Sequence, residues 1–385
     1  MGKFFDTLKL AKSLSSDDRA SLEMISSFLA PAESRRVKRL VKQGKLSFRP
    51  YTIGIAESSY SLLSAETKET KDLADKLNKK LRKQINSRVF SDFSKKAPEK
   101  MMSMIAPHIV GFEHVKKAVL LQLFALDKLH LLILGDPGTG KTEILRAASD
   151  IYPISSFGLG SGTSSAGLSV TVKGKEISPG LLPMADGGLA CIDELNLMKK
   201  EDMASLYNAM EKGFITYDKG GEHYKFDSRV SVLATANPKK DKFKGGRIEE
   251  VRKQMPFDPA LLSRFHLVFL VRKPDADEFR SIARSIIKDE KKEIDKEDIN
   301  FIREYISSSE KLEVVIPSSM EHQIVDFVAE LKKNEDKYLI EVSPRIVTGF
   351  VRMAKAAARM EMRTLVEQKD VNLVKDIVRQ SLEIS

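Results

Sequence analysis

The chain has 385 residues, 42% hydrophobic and 31% charged, with 64 Lys and Arg against 54 Asp and Glu and a formal net charge of +10. That length exceeds one simple core and implies two or three globular domains. One cysteine, Cys191, excludes a disulfide framework and a cysteine-rich zinc site, no apolar run reaches a bilayer span, and MGKFFDTLKLAKS has no secretory h-region, so the reading is a cytoplasmic protein without membrane association.

Residues 1–100 hold 22 Lys and Arg and 12 Asp and Glu, and the rest of the chain holds 42 of each. The whole basic excess therefore lies in this first stretch, which suits contact with nucleic-acid phosphates or a solvated lysine-rich helix surface. Leu22, Ile25, Phe28 and Leu29 share one helical face, and Pro31 ends that segment. RRVKRLVK, residues 35–42, is a basic amphipathic piece stopped by Gly44. Residues 51–63 alternate like a short strand pair, and 66–88 predict a charged helix with Leu73, Leu77, Leu81 and Ile85 spaced by four.

From Met101 strands and helices alternate, the signature of a parallel sheet covered by helices. An apolar helix over 110–126 precedes strands over 130–134, 152–155, 189–192, 230–235 and 266–270, with helices starting near Lys141 and Lys199. After Pro274 the pattern is helical. Ser343-Pro344 sets an N-cap before a proline at the first helical position, and Asp370 opens a last helix.

Between the first of these strands and its helix lies GDPGTGKT: Gly135, Asp136, Pro137, Gly138, Thr139, Gly140, Lys141 and Thr142. Strand, glycine-rich turn and helix together make a phosphate-binding loop. Gly138 and Gly140 can take positive φ, and the backbone amides and the helix N-terminus then face the anion. Lys141 would reach the β- and γ-phosphates, and the Thr142 hydroxyl would sit on Mg²⁺. About fifty residues on, LACI ends in Asp193 and Glu194. In a P-loop nucleotidase the first acid supports the metal, making Thr142 and Asp193 the metal-side pair, and the second polarises the attacking water. VSVLATANP ends in Asn237, suited to orienting the γ-phosphate or that water, or simply to a turn before Pro238. Arg264, in PALLSRF, is a surface residue or a finger completing a neighbour's site, and the latter needs a head-to-tail ring.

The P-loop, the CIDEL strand, TANP and LLSRF together resemble the AAA+ family. IAPHIVGFEHVKKAVLLQLF, GSGTSSAGLSVTV, MADGGLACIDELN and YNAMEKGFIT are similar to the minichromosome-maintenance (MCM) helicases, over about 97–272 and more weakly beyond. The resemblance implies an α/β fold, with a P-loop AAA+ αβα sandwich over 97–272 and a helical lid over 273–385; ahead of it, helical pattern and charge make 1–96 a small, mostly helical basic domain suited to DNA contact. The resemblance implies ATP and Mg²⁺, with Lys141 and Thr142 as Walker A, Asp193 and Glu194 as Walker B and Asn237 as sensor 1. It also implies that Arg264 and Arg345, and more loosely Arg229, act on a neighbour's nucleotide. Lys219, at the tip of a hairpin over 214–226, and Lys173 and Lys175, in a second over 170–177, would touch single-stranded DNA inside a homo-oligomeric, hexameric ring. The implied activity is an ATP-driven DNA helicase or translocase in replication. A MoxR- or chelatase-like protein remodeller and a non-motor, ATP-bound DNA-binding replication factor are the other classes these residues admit. The expected departures are a shortened form without the zinc-containing N-terminal region or a C-terminal winged helix, and SRFH where the family usually has SRFD.

Overall fold

The computed structural model describes residues 15–109, 111–161, 165–173, 176–200, 202–219, 222–240, 242–288 and 294–383. Two compact units result. One holds the described residues up to Lys96 together with Asp295–Tyr305, and the other holds Ala97–Ile294 and Ile306–Ser385. The stretch Asp295–Tyr305, placed in the C-terminal domain from sequence, thus clusters with the N-terminal residues.

In the first unit the Ser15 hydroxyl accepts the Asp18 amide and starts helix Ser16–Phe28. Pro31 opens a second helix, Pro31–Lys42, because a proline at the first helical position forfeits no bond. Strands β1 (Leu46–Ile53) and β2 (Ser58–Ala65) form an antiparallel hairpin, and Asn78 exchanges hydrogen bonds of 2.8 and 2.9 Å with the Leu63 backbone. Helix Lys68–Phe93 buries Leu77, Leu81 and Ile85, the four-residue spacing read from the sequence. It runs past 88, so that Phe90 and Phe93 meet Phe301 and Tyr305 at ring-centroid distances of 5.0–5.3 Å.

The second unit contains β3 (Leu131–Gly135), β4 (Ser155–Leu159), β5 (Val170–Lys173), β6 (Glu176–Pro179), β7 (Leu189–Asp193), β8 (Phe214–Lys219), β9 (Glu222–Asp227), β10 (Ser231–Ala236) and β11 (Leu267–Val271). Five of them make a parallel sheet in the order β11-β3-β10-β7-β4, and the others pair as two antiparallel hairpins, β5-β6 and β8-β9. β4 begins at Ser155 rather than 152, since Tyr152 still caps helix Lys141–Ile151 and Pro153 has no amide for a ladder. Its sequence SSFGL has no β-branched residue, so its strand character was hidden.

Residues alternate between the faces of the central strands. Leu132, Leu134, Ala190, Ile192, Val232 and Ala234 share a core with Leu206, Ala209 and Met210 of helix Met203–Lys212. On the opposite face Cys191 reaches the Leu145 carbonyl of helix Lys141–Ile151 at 3.7 Å. Burial on both faces explains strands that read as nearly unbroken apolar runs. Helices Ser318–Lys333, Pro344–Met360 and Gln368–Leu382 form the lid. Ser343 caps the second as expected, accepting the Arg345 amide at 3.3 Å. This is the α/β P-loop sandwich with a C-terminal helical lid. Among the described residues no helix is long and apolar enough to cross a membrane.

Candidate functional site

β3 brings the glycine-rich loop to the edge of the sheet beside the end of β11. Gly135 lies so close to β11 that a Cβ there would sit 2.3 Å from the Val271 carbonyl oxygen. The Asp136 amide donates to that same oxygen, and its buried carboxylate accepts the amides of Phe243 (2.8 Å) and Lys273 (3.2 Å). Asp136 therefore pins the loop, and both its amide and its carboxylate are engaged by protein. Gly138 and Gly140 have φ of +80° and +84°, the left-handed region that the sequence assigned to them. Lys141 and Thr142 open helix Lys141–Ile151, whose free amides face the loop. Lys141 Nζ donates to the carbonyls of Gly135 (2.9 Å) and Asp136 (2.7 Å) and to Thr139 Oγ1 (3.3 Å). Burial lowers its pKa to about 8, against the opposing pull of Asp136, Asp193 and Glu194.

β10 lies between β3 and β7, so the two acids are not on the strand next to the loop. Thr235 of β10 bridges the gap. Its hydroxyl donates to Asp193 Oδ1 at 2.5 Å and accepts the Glu194 amide at 2.9 Å. On the other side Thr142 Oγ1 donates to Asp193 Oδ2 at 2.8 Å. Hydrogen bonds thus run unbroken from Thr142 through Asp193 and Thr235 to Glu194. A hydroxyl and a carboxylate oxygen so placed are hard donors of the kind Mg²⁺ takes, so the residues fit that ion. Glu194 sits at φ +53°, a left-handed conformation uncommon outside glycine that turns the chain sharply off β7. Gly160 supports the turn, its amide donating to the Asp193 carbonyl at 2.7 Å, and a Cβ there would lie 2.2 Å from the Glu194 carbonyl oxygen. The amide of Asn237 donates to Asn196 Oδ1 at 2.8 Å, tying the end of β10 to the same turn. Thr235, Gly160 and Asn196 had no place in the sequence reading. The available signal for Thr235 was one hydroxyl in the otherwise apolar VLATA.

Arg264 and Arg345 make a cluster of their own. Arg345 Nη1 donates to the Arg264 carbonyl at 3.3 Å. Arg264 Nη2 pairs with Glu211 Oε2 at 3.3 Å, and its guanidinium lies 4.6 Å from the centroid of the Tyr207 ring. Among the described residues neither arginine is hydrogen-bonded or ion-paired to Lys141, Asp193 or Glu194. Arg229 pairs with Asp186 through Nη2 at 2.6 Å. His266 is buried, with its Nδ1 accepting the His130 amide at 2.9 Å, and burial together with Arg352 and Arg345 depresses its pKa to about 3. Lys219 ends β8 opposite Glu222, and Lys173 ends β5 opposite Glu176; Lys175 lies outside the described residues.

Residues 86–290 match the MCM P-loop domain and residues 300–382 match the MCM AAA-lid domain. The minichromosome maintenance protein MCM of Saccharolobus solfataricus is 30% identical over 74% of this chain and 45% of its own length. The DNA replication licensing factor mcm7 of Xenopus tropicalis is 30% identical over 71% of this chain and 41% of its own. The licensing factor MCM4 of Arabidopsis thaliana is 29% identical over 77% and 39%. The chain thus spans less than half the length of these curated relatives. With both the P-loop and the lid of that family matched in order, the chain belongs to the minichromosome-maintenance family.

Proposed function

We propose that this chain is an ATP-hydrolysing DNA helicase or translocase of MCM type, acting on single-stranded DNA in replication as a homo-oligomeric, hexameric ring. The observation that supports it most is the unbroken hydrogen-bond chain from Thr142 through Asp193 and Thr235 to the backbone amide of Glu194, which ties a phosphate loop to the left-handed turn that carries Glu194. Thr142 and Asp193 would hold Mg²⁺, whose charge would offset that on the phosphate oxygens. Lys141 would exchange its loop carbonyls for a phosphate oxygen. Glu194 would take the proton of a water whose oxygen bonds to the γ-phosphorus while the bond to the bridging oxygen breaks and ADP leaves. Asn237 would orient that water. Arg264 and Arg345 would arrive from the neighbouring subunit to stabilise the developing charge. Lys219, Lys173 and Lys175 would hold the DNA backbone.

Within this reading, 97–272 is the ATPase core, the following helices are the lid, and the N-terminal residues contact nucleic acid. Residues 34–56 carry seven Lys and Arg and no acid, and residues 76–91 carry six and no acid. On helix Pro31–Lys42 the exposed Arg35, Lys38, Arg39 and Lys42 fall at helical spacing, opposite the buried Val37 and Val41. A face of this kind binds phosphates without sequence preference and with strong salt dependence. The test of the whole reading is ATPase and strand displacement on forked DNA, for the wild type and for Lys141→Ala. Hydrolysis that rises with DNA and is lost in Lys141→Ala is expected. Stimulation without displacement would leave a translocase, and no response to DNA would overturn the reading in favour of a protein remodeller.

A further inference from the structure

We propose that Glu211, with Tyr207, is a positioning residue that holds the two trans arginines on their own subunit and passes their capture by a neighbour's nucleotide to the β8–β9 hairpin. This rests on the reading of Arg264 and Arg345 as trans residues and of the hairpin as a DNA contact.

Tyr207 and Glu211 are four residues apart on helix Met203–Lys212 and therefore share one face. That face brackets Arg264: the carboxylate takes Nη2 at 3.3 Å and the phenol ring lies 4.6 Å below the guanidinium. Nε of Arg264 is buried and has no acceptor among the described residues. Arg345 is fastened to the Arg264 carbonyl, and Glu211 is the charge that opposes the desolvation of Arg345. Burial lowers the pKa of Arg345 and Arg264 and Arg352 add to that, so the half-exposed Glu211 carboxylate offsets part of the cost for Arg345 while it pairs with Arg264. Besides the Ala260 carbonyl that takes Arg264 Nη1, this cluster of cations has one 3.3 Å ion pair and one unfilled donor, an arrangement that a polyanion can draw on.

The helix that carries Glu211 is joined to the hairpin without slack. Gly213 caps it in the left-handed region and Phe214 is already the first residue of β8. The Ser228 amide donates to the Gly213 carbonyl at 2.8 Å, closing the base of the hairpin, and Lys128 Nζ holds the Ala209 carbonyl at 3.3 Å. Helix and hairpin base therefore shift as one body. When a triphosphate in the adjoining site draws Arg264 and Arg345 away, Glu211 loses its cations and the helix loses its restraint. By linkage, DNA on the hairpin biases the arginines in return.

The test uses the full chain. ATP hydrolysis is measured with and without single-stranded DNA for the wild type, Glu211→Gln, Glu211→Asp, Tyr207→Leu and Tyr207→Phe, with Arg264→Ala and Lys219→Ala as references. Glu211→Gln and Tyr207→Leu should cut the ratio of stimulated to unstimulated turnover by about fivefold or more, the lower end of ordinary coupling, with KM for ATP nearly unchanged. Glu211→Asp and Tyr207→Phe should recover much of the ratio, since each keeps the carboxylate or the ring. A wild-type ratio in both Glu211→Gln and Tyr207→Leu overturns the inference alone, provided that Arg264→Ala is inactive and Lys219→Ala has lost the DNA response. An active Arg264→Ala, or a wild type indifferent to DNA, overturns the underlying reading and this inference with it.

Discussion

Thr235→Val tests the link between the phosphate loop and Glu194, the acid proposed to activate water. Thr235 is 1% exposed, and valine fills the same volume, so packing is kept while the hydroxyl is lost. Two interactions disappear: the donor to Asp193 Oδ1 and the acceptor of the Glu194 amide. A charge-assisted bond contributes about 1.5–3 kcal/mol, and an orphaned buried amide costs about 1–3 kcal/mol. Thr142 still serves the other oxygen of Asp193, so the lower half of that sum, about 3 kcal/mol, is expected. In a unit of this size that lowers Tm by roughly 6–12 °C. Glu194, no longer tied to β10, should lose alignment, and kcat should fall about 10- to 100-fold. KM for ATP should hold, because the contacts of Lys141 are not touched. Thermal unfolding and phosphate release at saturating ATP measure both effects. Thr235→Ser restores the hydroxyl and should restore most of kcat. Equal kcat in the wild type and the valine variant, or equal losses in valine and serine, would refute the argument.

Lys141 sets a pH dependence. Its folded pKa of about 8 lies below the ordinary 10.5, so the charged ammonium is disfavoured in the nucleotide-free fold. The resulting destabilisation is fully present below about pH 8 and is relieved as pH rises toward the unfolded value, by up to about 3 kcal/mol. Lys141→Met should flatten that gain in a denaturation series run from pH 7 to 10. If Lys141 holds ATP as proposed, binding needs the ammonium, so KM should be flat below pH 8 and climb by up to about tenfold per unit above it. Gly160→Ala places a methyl 2.2 Å from the Glu194 carbonyl oxygen and must displace that turn. It should lower kcat about 100-fold with nucleotide affinity retained, and unchanged turnover would contradict the role given to the turn. Arg35→Glu with Arg39→Glu should weaken DNA binding and flatten its salt slope by about two phosphate contacts, measured by titration at several ionic strengths.

Contiguous features were legible in the sequence. The positive φ of Gly138 and Gly140, the Ser343 cap and the stripe of Leu77, Leu81 and Ile85 follow from local rules that need no partner. What escaped depends on pairing. β4 is a strand because Ser155 to Leu159 lie beside Leu189 to Asp193, not because SSFGL favours one. Thr235 reaches Asp193 and Glu194 only because β10 is inserted between β3 and β7, an order that sequence alternation does not encode. Gly160 reads as one glycine in a Ser/Gly-rich loop until its contact with Glu194 is seen. The loop motif also gives no sign that the Asp136 carboxylate accepts the distant amides of Phe243 and Lys273. Asp295–Tyr305 joined the N-terminal unit through the Phe90–Phe301 and Phe93–Tyr305 contacts, pairings across more than two hundred residues that local helical periodicity cannot register.

The position of the β8–β9 hairpin in the chain carries a mechanical consequence. It is entered from helix Met203–Lys212, whose Glu211 faces Arg264. It is left through Ser228 to Val230 into β10, which carries Thr235 and, just past its end, Asn237. One continuous stretch therefore runs from the arginine cluster, through the hairpin, to the Walker B side of the subunit's own loop. Arg229 anchors the exit by its pairing with Asp186, as the Gly213–Ser228 bond anchors the entry. A load on the hairpin is consequently borne at both ends, and under the proposed trans roles of Arg264 and Arg345 each end abuts a group that would serve a different nucleotide. In a ring, that arrangement would make the hairpin report on two adjacent interfaces at once. Substitutions at Glu211 and at Thr235 should then separate the two, the first altering the response to DNA and the second altering turnover itself.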